Sequence, residues 1–589
     1  MKKILALFLG LLTVKAVAQT GIPVPQLANC DATVQAFMQR WKIPGASVAI
    51  ARQGKLVYAR SFGYADLQRT VPMQPYNLLR VASISKPVTA VAIMKLVESG
   101  QISLDHKAFG PNGYLNSPYY SGVITDKRIY NITVRNLLEH SAGWNREVAC
   151  DGYGSSDPID FPLHVAKVLH VPNPVGDSTL VRFLLAKGLN FTPGARFAYS
   201  NIGYLVLGKI IESVTGQHYE AWVRSNLLTP SGVQEAHLGH NLLADKLERE
   251  SEYFSETRSR SCYGTRKDVQ TPYGGCNLEA MNAHGGWVFS ARDLVRFVLA
   301  VDGSPTRPDL LGPGTIDTMT QASAAQRHYA KGWMVNRNNT WWHTGSLDGT
   351  ASCVVRTSAG YTWAILLNGR GPSNRFWNDL EDLGWDCING SNAWPTHDLF
   401  APELNATRLA AVPAGPQAVT LNWASGNGTR RLVVMKEGSP VDAFPLDGVA
   451  YTAKSGFSSG DTLGRGNFVV ADAAGASATV THLTPGKTYY ARVIEYYQNE
   501  STDNQPVYSL DGNPTLSLRL AVPKVVAAKP ARTGIRKTVA TRFSSKAPVH
   551  KPAPAAPRPA EPVLETSVAP PPTHYLTRLR EILRKFTGV

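Results

Sequence analysis

The stretch "VASISKPVTA", residues 81–90, decides the fold because it places a lysine three positions after a serine where a helix begins. Apolar residues follow at helical spacing, and Gly100 stands where the helix is expected to end. Lys86 therefore lies in the first predicted turn, beside the positive end of the helix dipole, which disfavours its charged form. One turn brings its amine near the Ser83 hydroxyl, so the sequence predicts a nucleophile and its base.

The Ser83–Lys86 pair suits acyl transfer. A serine hydroxyl is a poor nucleophile near neutral pH and needs a base that removes its proton during attack on a carbonyl. Desolvation and nearby positive potential would lower the pKa of Lys86 into a useful range. Taken alone, Ser83 also fits a helix N-cap, and Lys86 a solvated first-turn residue.

Two later stretches place polar groups at predicted element boundaries. "FAYSNIGY", residues 197–204, puts Tyr199 and Asn201 in a loop before a helix, and "WWHTGSLDG", residues 341–349, puts His343 in a strand. Each motif is common by itself, and Tyr199 also fits a core aromatic or His343 an ordinary strand residue. Their order, each at its expected boundary, predicts one shared active site.

Residues 26–392 resemble the serine β-lactamase and penicillin-binding protein superfamily, with motifs similar to those of class C β-lactamases and low-molecular-weight D,D-carboxypeptidases. The three motifs above carry the resemblance, and two more agree with it. "LLEHSAGW", residues 137–144, is similar to the family's Leu-Leu-x-His-Thr-Ser-Gly segment, although its alanine departs from the usual pattern. "HGGWVFSARDLVRF", residues 284–297, is similar to the family's Gly-Gly-x-x-Ser-x-x-Asp-Leu segment.

The resemblance assigns roles to Tyr199 and Asn201. Tyr199 would join the Ser83–Lys86 network, pass a proton to the leaving group and assist deacylation. Asn201 would orient a substrate amide or Lys86. Whether lysine or tyrosine is the base stays open, since the two can titrate as a coupled unit.

The third motif would lie on the strand that borders the cleft. His343 and Thr344 would hold a substrate carboxylate or assist proton transfer. Gly345 would let a substrate backbone approach the strand. The backbone N–H groups of Ser83 and Ser346 would form an oxyanion hole, in which one donor typically contributes about 10²–10³ in rate.

Helical and strand-like segments alternate between residues 26 and 392. "GASVAIARQGKLVYARSFG" contains two strand-like runs joined by a Gln-Gly turn, which predicts a hairpin. Cap residues predict helices that begin at Thr133 and Ser290 and one that ends at Gly216. We therefore expect a hydrolase domain over 26–392 with an α+β fold, an antiparallel sheet flanked by helices plus an all-helical lobe, as in β-lactamases.

Residues 413–521 consist almost entirely of short strand-like runs with turn residues between them, which predicts a β-sandwich. "LTPGKTYYARVIEY" resembles the tyrosine-corner stretch of fibronectin type III domains. Leu483, Pro485 and Tyr489 occupy its positions, and Trp423 stands where an early core tryptophan is expected.

The N-terminus has the pattern of a cleaved signal peptide. Residues 1–18 combine a cationic start at Lys2 and Lys3, an apolar stretch and the small-residue pattern Ala-Val-Ala. The alternative, a membrane anchor, fits less well because the apolar run is shorter than the ~20 residues that span a bilayer. We expect a secreted or periplasmic protein.

The net charge of +16 comes mainly from the C-terminus. The last 66 residues hold thirteen Lys or Arg and three Glu. Residues 522–572 are a Pro-, Ala- and Lys-rich stretch that predicts a disordered linker, and residues 573–589 predict a basic amphipathic helix. This tail would bind an anionic cell-envelope surface, or its helix would pack on the protein itself. Nothing resembles an ordered nucleic-acid-binding motif.

Six cysteines in an oxidising compartment favour disulfides over buried free thiols. Six cysteines allow 15 connectivities, and Cys262 with Cys276 is the favoured local pair. Neither a metal site nor an organic cofactor is implied.

These observations predict an exported serine hydrolase that forms an acyl-enzyme on Ser83. Histidine rather than lysine in the third motif resembles D,D-peptidases and related esterases, which favours D-amino-acid peptides of the peptidoglycan type or small esters. The alternatives are a true class C-like β-lactamase, and a non-catalytic envelope-binding protein on a hydrolase scaffold.

Overall fold

The computed structural model describes residues 18–233 and 235–522. All but one residue of the predicted signal peptide, and all but one of the predicted linker, lie outside the described residues, as does the whole predicted C-terminal helix. Within the described residues the architecture is α+β with a β-sandwich after it, as predicted.

The main sheet has seven antiparallel strands. The predicted hairpin forms part of it, and its turn residues Gln53 and Gly54 both have positive φ, 50° and 78°. A two-residue turn needs this conformation to match the right-handed twist of its strands. In spatial order the strands are Gln19–Thr20, Lys55–Gly63, Gly45–Arg52, Tyr361–Leu367, Thr350–Arg356, Trp341–Leu347 and Met334–Val335.

Both faces of this sheet are buried. Successive residues of a strand point to opposite faces, and Gly45–Arg52 shows the result. Ile50 packs in a core with the helices Ala28–Trp41 and Asn374–Asn389. Its neighbour Ala49 packs into the larger core that the sheet shares with the helical lobe.

Three helix boundaries lie at the capping residues that predicted them. Thr133 and Ser290 each cap a helix with a side-chain oxygen, and Gly216 ends another in the left-handed conformation. The remaining helices of the described residues are Ser85–Glu98, Pro118–Ser121, Pro162–Leu169, Asp177–Lys187, Tyr219–Val223, Leu278–Gly285 and Pro313–Thr320, beside Val134–Leu138, Asn201–Thr215 and Ala291–Leu299. Shorter helical turns are Pro25–Leu27, Ala82–Ile84, Lys127–Asn131, Pro158–Asp160, Arg224–Leu228, Leu243–Asp245, Thr271–Gly275 and Glu500–Thr502.

Two small sheets complete the hydrolase domain. Trp287–Phe289 lies between Leu79–Arg80 and His237–Leu238 in a three-stranded sheet. Arg258–Arg260 pairs with Asp268–Gln270.

The disulfide joins Cys30 to Cys387, 357 positions apart. It connects the two helices that cover one face of the main sheet. The predicted Cys262–Cys276 bond is wrong, because both are free thiols. The turn between them directs the Cys262 Sγ to the Cys276 carbonyl oxygen, at 3.7 Å, rather than to the other sulfur.

The C-terminal strands form two sheets around a core that contains the predicted tryptophan, Trp423. One sheet has the order Thr407–Gly415, Ala418–Ala424, Ser477–Val480. The other has the order Asn467–Ala473, Arg430–Glu437, Thr488–Tyr497, Val507–Tyr508, and Thr515–Arg519 also pairs with Thr488–Tyr497.

Across residues 18–233 and 235–522, no helix has the length and apolar character to cross a membrane. The same ranges hold no group of three or more His, Cys, Asp or Glu side chains arranged for a metal ion.

Candidate active site

Ser83 lies in the helical turn Ala82–Ile84, just before the helix Ser85–Glu98. Ala82 adopts a left-handed φ of 50° although it is not glycine. Such a conformation costs about 1–3 kcal/mol and persists only where the surroundings enforce it. Ser83 is partly exposed, whereas Ala82 and Ile84 on either side of it are buried.

Hydrogen bonds on both sides hold this turn. The Val81 N–H donates to the Trp287 carbonyl at 3.0 Å, and the Ser352 hydroxyl donates to the Val81 carbonyl at 2.9 Å. The Trp287 N–H donates to Ser85 Oγ at 3.1 Å. Ser83 is therefore fixed between the main sheet and the small sheet.

Lys86 is completely buried, and its Nζ has three polar neighbours. They are Ser83 Oγ at 3.2 Å, Asn201 Oδ1 at 2.9 Å and the His284 carbonyl oxygen at 2.9 Å. Burial lowers the pKa of Lys86 well below its usual value, and the nearby Arg146 lowers it further.

The three contacts of Lys86 fix the direction of proton transfer. A neutral amine has two N–H donors and one lone pair. The Asn201 and His284 oxygens can only accept, so they take both donors. The lone pair is left for the Ser83 hydroxyl, which is the arrangement that a general base requires.

Asp157 fixes the side-chain amide of Asn201. Asn201 begins the helix Asn201–Thr215, and its Nδ2 donates to Asp157 Oδ2 at 2.8 Å. This bond turns Oδ1 of the amide toward Lys86. Burial, with Asp160 nearby, raises the pKa of Asp157 to about 6. Asp157 was not predicted from the sequence, because its position before Pro158 marks only the N-cap of the helical turn Pro158–Asp160.

Tyr199 completes the group around the nucleophile. Its hydroxyl hydrogen-bonds the Ser83 side chain, and its ring centroid lies 4.8 Å from Lys86 Nζ. Burial raises the pKa of Tyr199 above its usual value. The phenol therefore stays protonated at neutral pH, while the buried lysine loses its proton more easily.

A chain of three side chains lies behind Tyr199. Ser200 N–H donates to His140 Nδ1 at 3.1 Å, so Nε2 carries the ring hydrogen and donates to the Tyr329 hydroxyl at 3.1 Å. His343 Nδ1 lies 2.7 Å from the Thr344 carbonyl, so His343 Nε2 accepts from Tyr329 at 3.4 Å. Tyr329 had no motif signal in the sequence.

The His343 ring is neutral. Burial lowers its pKa to about 3, with Lys86 the second cause. Of the two roles predicted for His343, proton transfer fits a neutral ring, whereas charge pairing with a carboxylate does not.

Gly345 lies directly against the nucleophile turn, the helical turn Ala82–Ile84 that contains Ser83 and follows Val81. A Cβ at this position would lie 2.1 Å from the Val81 carbonyl oxygen and 2.3 Å from Ser352 Oγ. Only glycine permits this approach. The strand therefore packs against Val81 and Ala82, and Arg370 donates to the hydroxyl of Ser346, the residue after Gly345, at 3.0 Å.

The strand Trp341–Leu347 has an open edge. Thr350–Arg356 pairs with its full length on one side, whereas on the other side the neighbour Met334–Val335 pairs only with Trp341 and Trp342. Within the described residues, the stretch 343–347 therefore has a strand partner on one side only, and half-exposed Thr344 lies on this stretch.

The structure thus brings the three motifs together around Ser83. Residues 30–383 match the family model described as Beta-lactamase, which is well over half of the chain. The chain belongs to the beta-lactamase family of serine hydrolases.

This beta-lactamase family member has curated relatives. It is 27% identical to Protein flp of Staphylococcus aureus strain N315 over 353 residues, which cover 57% of this chain and 62% of that protein. It is 31% identical to Esterase EstB of Burkholderia gladioli over 217 residues, which cover 35% of this chain and 50% of that protein. The chain therefore spans less than two thirds of the length of these relatives.

Solved structures show similarity at lower identity. D-amino acid amidase from Ochrobactrum anthropi SV3 is 21% identical with a TM-score of 0.48, over 63% of this chain and 100% of that one. A penicillin-binding protein homologue from Pyrococcus abyssi is 19% identical with a TM-score of 0.47, over 82% of this chain and 100% of that one.

Proposed function

We propose that this chain hydrolyses small esters through an acyl-enzyme on Ser83. The proposal rests on one observation, the contact of 3.2 Å between the buried Lys86 Nζ and Ser83 Oγ. Esters fit because the neutral His343 supplies no charge for a substrate carboxylate. The name of the relative Esterase EstB agrees with this substrate class.

The reaction has two halves. Ser83 Oγ attacks the ester carbonyl carbon while its proton moves to Lys86 Nζ, and the backbone N–H groups of Ser83 and Ser346 bind the oxyanion. The C–O bond to the leaving alcohol breaks as the Tyr199 hydroxyl gives it a proton, and Lys86 restores that proton. Water then attacks the acyl carbon as Lys86 takes one of its protons, and the bond to Ser83 breaks as Lys86 gives that proton to Ser83 Oγ, which restores the hydroxyl and the neutral amine.

A D-amino-acid peptide is the second candidate substrate. The strand edge at 343–347, which lacks a strand partner on one side, presents backbone groups that a substrate can pair with. An extended peptide would pair with this edge as an added strand, which is a recurrent mode of peptide recognition.

Mass spectrometry tests the proposal. The intact protein is incubated with a fluorophosphonate, and turnover is measured on p-nitrophenyl acetate, a D-Ala-D-Ala peptide and a chromogenic cephalosporin. We expect one adduct on Ser83 and multiple turnover of the ester. Ser83→Ala should lose both, while Ser99→Ala, a surface change at the end of the same helix, should keep both.

Other outcomes would replace the proposal. Rapid multiple turnover of the cephalosporin would make the chain a β-lactamase, and turnover of the peptide alone a D,D-peptidase. Full ester hydrolysis by Ser83→Ala would overturn the acyl-enzyme. A Ser83→Ala variant that matches the wild type in every activity and phenotype would favour the non-catalytic envelope-binding alternative.

For the sandwich we propose a fibronectin type III-like module. The tyrosine-corner hydrogen bond supports this, since the Thr484 N–H donates to the Tyr489 hydroxyl at 2.9 Å. Leu483 and Trp423 lie in the core beside it. Removing the hydroxyl with Tyr489→Phe should destabilise the sandwich more than Tyr490→Phe on the next residue.

We also propose export to the periplasm or medium and retention at an anionic envelope surface. The support is the sequence pattern of residues 1–18 and the positive charge after residue 522. Binding of the full chain to anionic vesicles should weaken with salt. A chain that ends at Leu520 and binds equally well would contradict the role of the tail.

A further inference from the structure

The strand that leads to the nucleophile, Leu79–Arg80, pairs with Trp287–Phe289 and is also tied to the segment 249–253. Leu78 N–H donates to the Arg249 carbonyl at 3.0 Å, and Ser251 N–H donates back to the Leu78 carbonyl at 2.9 Å. Arg80 N–H donates to the Tyr253 hydroxyl at 2.9 Å. The segment 249–253 therefore helps to position strand Leu79–Arg80. This strand ends three residues before Ser83.

A buried charge reinforces this tie. The Arg80 guanidinium, 2% exposed, lies over the Tyr253 ring and 3.5 Å from Glu250 Oε1. It also donates to the Pro272 carbonyl at 2.8 Å and the His240 carbonyl at 3.1 Å. Glu250, Tyr253 and Pro272 are buried, so separating the strand from the segment would leave the buried Arg80 charge without these partners.

The β-sandwich holds the other side of the same segment. Asp511 of the sandwich forms a buried ion pair with Arg249, which Glu235 of the hydrolase domain also contacts. The Arg249 guanidinium lies 5.0 Å from the Phe444 ring of the sandwich and 5.7 Å from the Tyr76 ring.

A second ion pair crosses the same interface near the first. Asp447 of the sandwich lies 3.2 Å from Arg292 and accepts from Tyr508 N–H at 2.8 Å. Asp447 and Asp511 have the same side-chain exposure, 9%. Arg292 belongs to the helix Ala291–Leu299 and not to the segment 249–253.

We infer that the β-sandwich is a positioning part of the hydrolase. Asp511 forms an ion pair with the Arg249 side chain, and the Arg249 carbonyl accepts a hydrogen bond from Leu78 N–H. The strand that follows Leu78 leads directly to Ser83. The catalytic consequence rests on the proposed function, whereas the structural coupling does not.

Hydrogen exchange of the full-length protein tests the coupling. In Asp511→Asn, amides of residues 77–84 and 249–253 should exchange about ten-fold faster, since the hydrogen bond from Arg249 loses its charged acceptor. Strand Gly45–Arg52, in the main sheet, should be unaffected. Asp447→Asn is the matched control, because it removes an equally buried interface carboxylate that does not contact the segment.

The kinetic arm uses the same variants. Asp511→Asn should lower kcat for ester hydrolysis, and the rate of Ser83 labelling, by about ten-fold with KM unchanged, because a misplaced nucleophile slows chemistry rather than binding. Asp447→Asn should keep the wild-type values.

Three results would overturn the inference. They are unchanged exchange at 77–84 in Asp511→Asn, equal acceleration in both variants, and acceleration throughout the protein. Failure of the wild type to react with the fluorophosphonate would instead count against the proposed function, since the exchange arm needs no activity.

Discussion

The Lys86 Nζ lies 3.2 Å from Ser83 Oγ, and its two other contacts are oxygens that can only accept. Replacing the amine with the apolar side chain in Lys86→Met should lower kcat/KM for esters by about 10²–10⁴, the usual contribution of a general base. Lys95→Met changes a partly exposed lysine of the same helix and should keep activity. Equal rates in the two variants would remove Lys86 from the mechanism.

Gly345 permits the contact between the edge strand and the nucleophile turn. Gly345→Ala should lower kcat/KM by about 10²-fold, because the new methyl group must push the turn or the strand aside. Gly314→Ala is the control, since no heavy atom lies within 4 Å of the added carbon. Circular dichroism and steady-state kinetics check both, and full activity in Gly345→Ala would contradict the close approach.

Asp157 links the charge state of the site to pH. Its pKa is raised from 3.8 to about 6, so between these values the folded state binds the proton more tightly than the unfolded state. This contribution to stability is present at low pH and is lost as pH rises through about 6. Asp157→Asn should remove it, which changes the difference in unfolding free energy between pH 4 and pH 7 by up to about 3 kcal/mol.

The same substitution should change the pH profile of activity. The Asp157 charge raises the pKa of Lys86. Without it, the amine stays neutral to lower pH, so the acid limb of the kcat/KM profile should move to lower pH. If the acid limb of the kcat/KM profile stays in place or moves to higher pH, the Asp157 charge does not raise the pKa of Lys86.

Tyr329 joins His140 to His343. Tyr329→Phe leaves both Nε2 atoms without this partner, and a buried polar group that loses its partner costs about 1–3 kcal/mol. Tyr508→Phe removes a comparable bond to the Val449 carbonyl in the sandwich and serves as the control. We expect both to melt at lower temperature but only Tyr329→Phe to lose ester hydrolysis, and equal activity would make Tyr329 purely structural.

Local signals in the sequence predicted local structure well. A serine and a lysine one turn apart must be close if the segment is helical, and capping residues such as Thr133 mark a helix end through bonds to the next few residues. The hairpin at Gln53 likewise depends only on its two turn residues. The α+β class and the sandwich were predicted from the spacing of apolar residues in helices and strands and from the turn residues between them.

Non-local relationships were not predictable from one sequence. Asp157 and Tyr329 reach the site through loops with no periodic pattern, so their distance from Ser83 depends on the whole fold. The disulfide prediction failed for the same reason. Cys262 and Cys276 are near in the chain, but the Cys262 Sγ contacts the Cys276 carbonyl oxygen and not its sulfur. Cys30 and Cys387 are far apart in the chain and come together only in the folded domain.

The bond between Cys30 and Cys387 fastens the beginning of the hydrolase module to its end. A protease that cuts one exposed loop between these positions would produce two polypeptides still joined through sulfur. Neither piece could diffuse away, and the nicked enzyme would keep every element around Ser83 in one particle. Under reducing conditions only non-covalent contacts, such as the pairing of Gly45–Arg52 with Tyr361–Leu367, would join the two pieces.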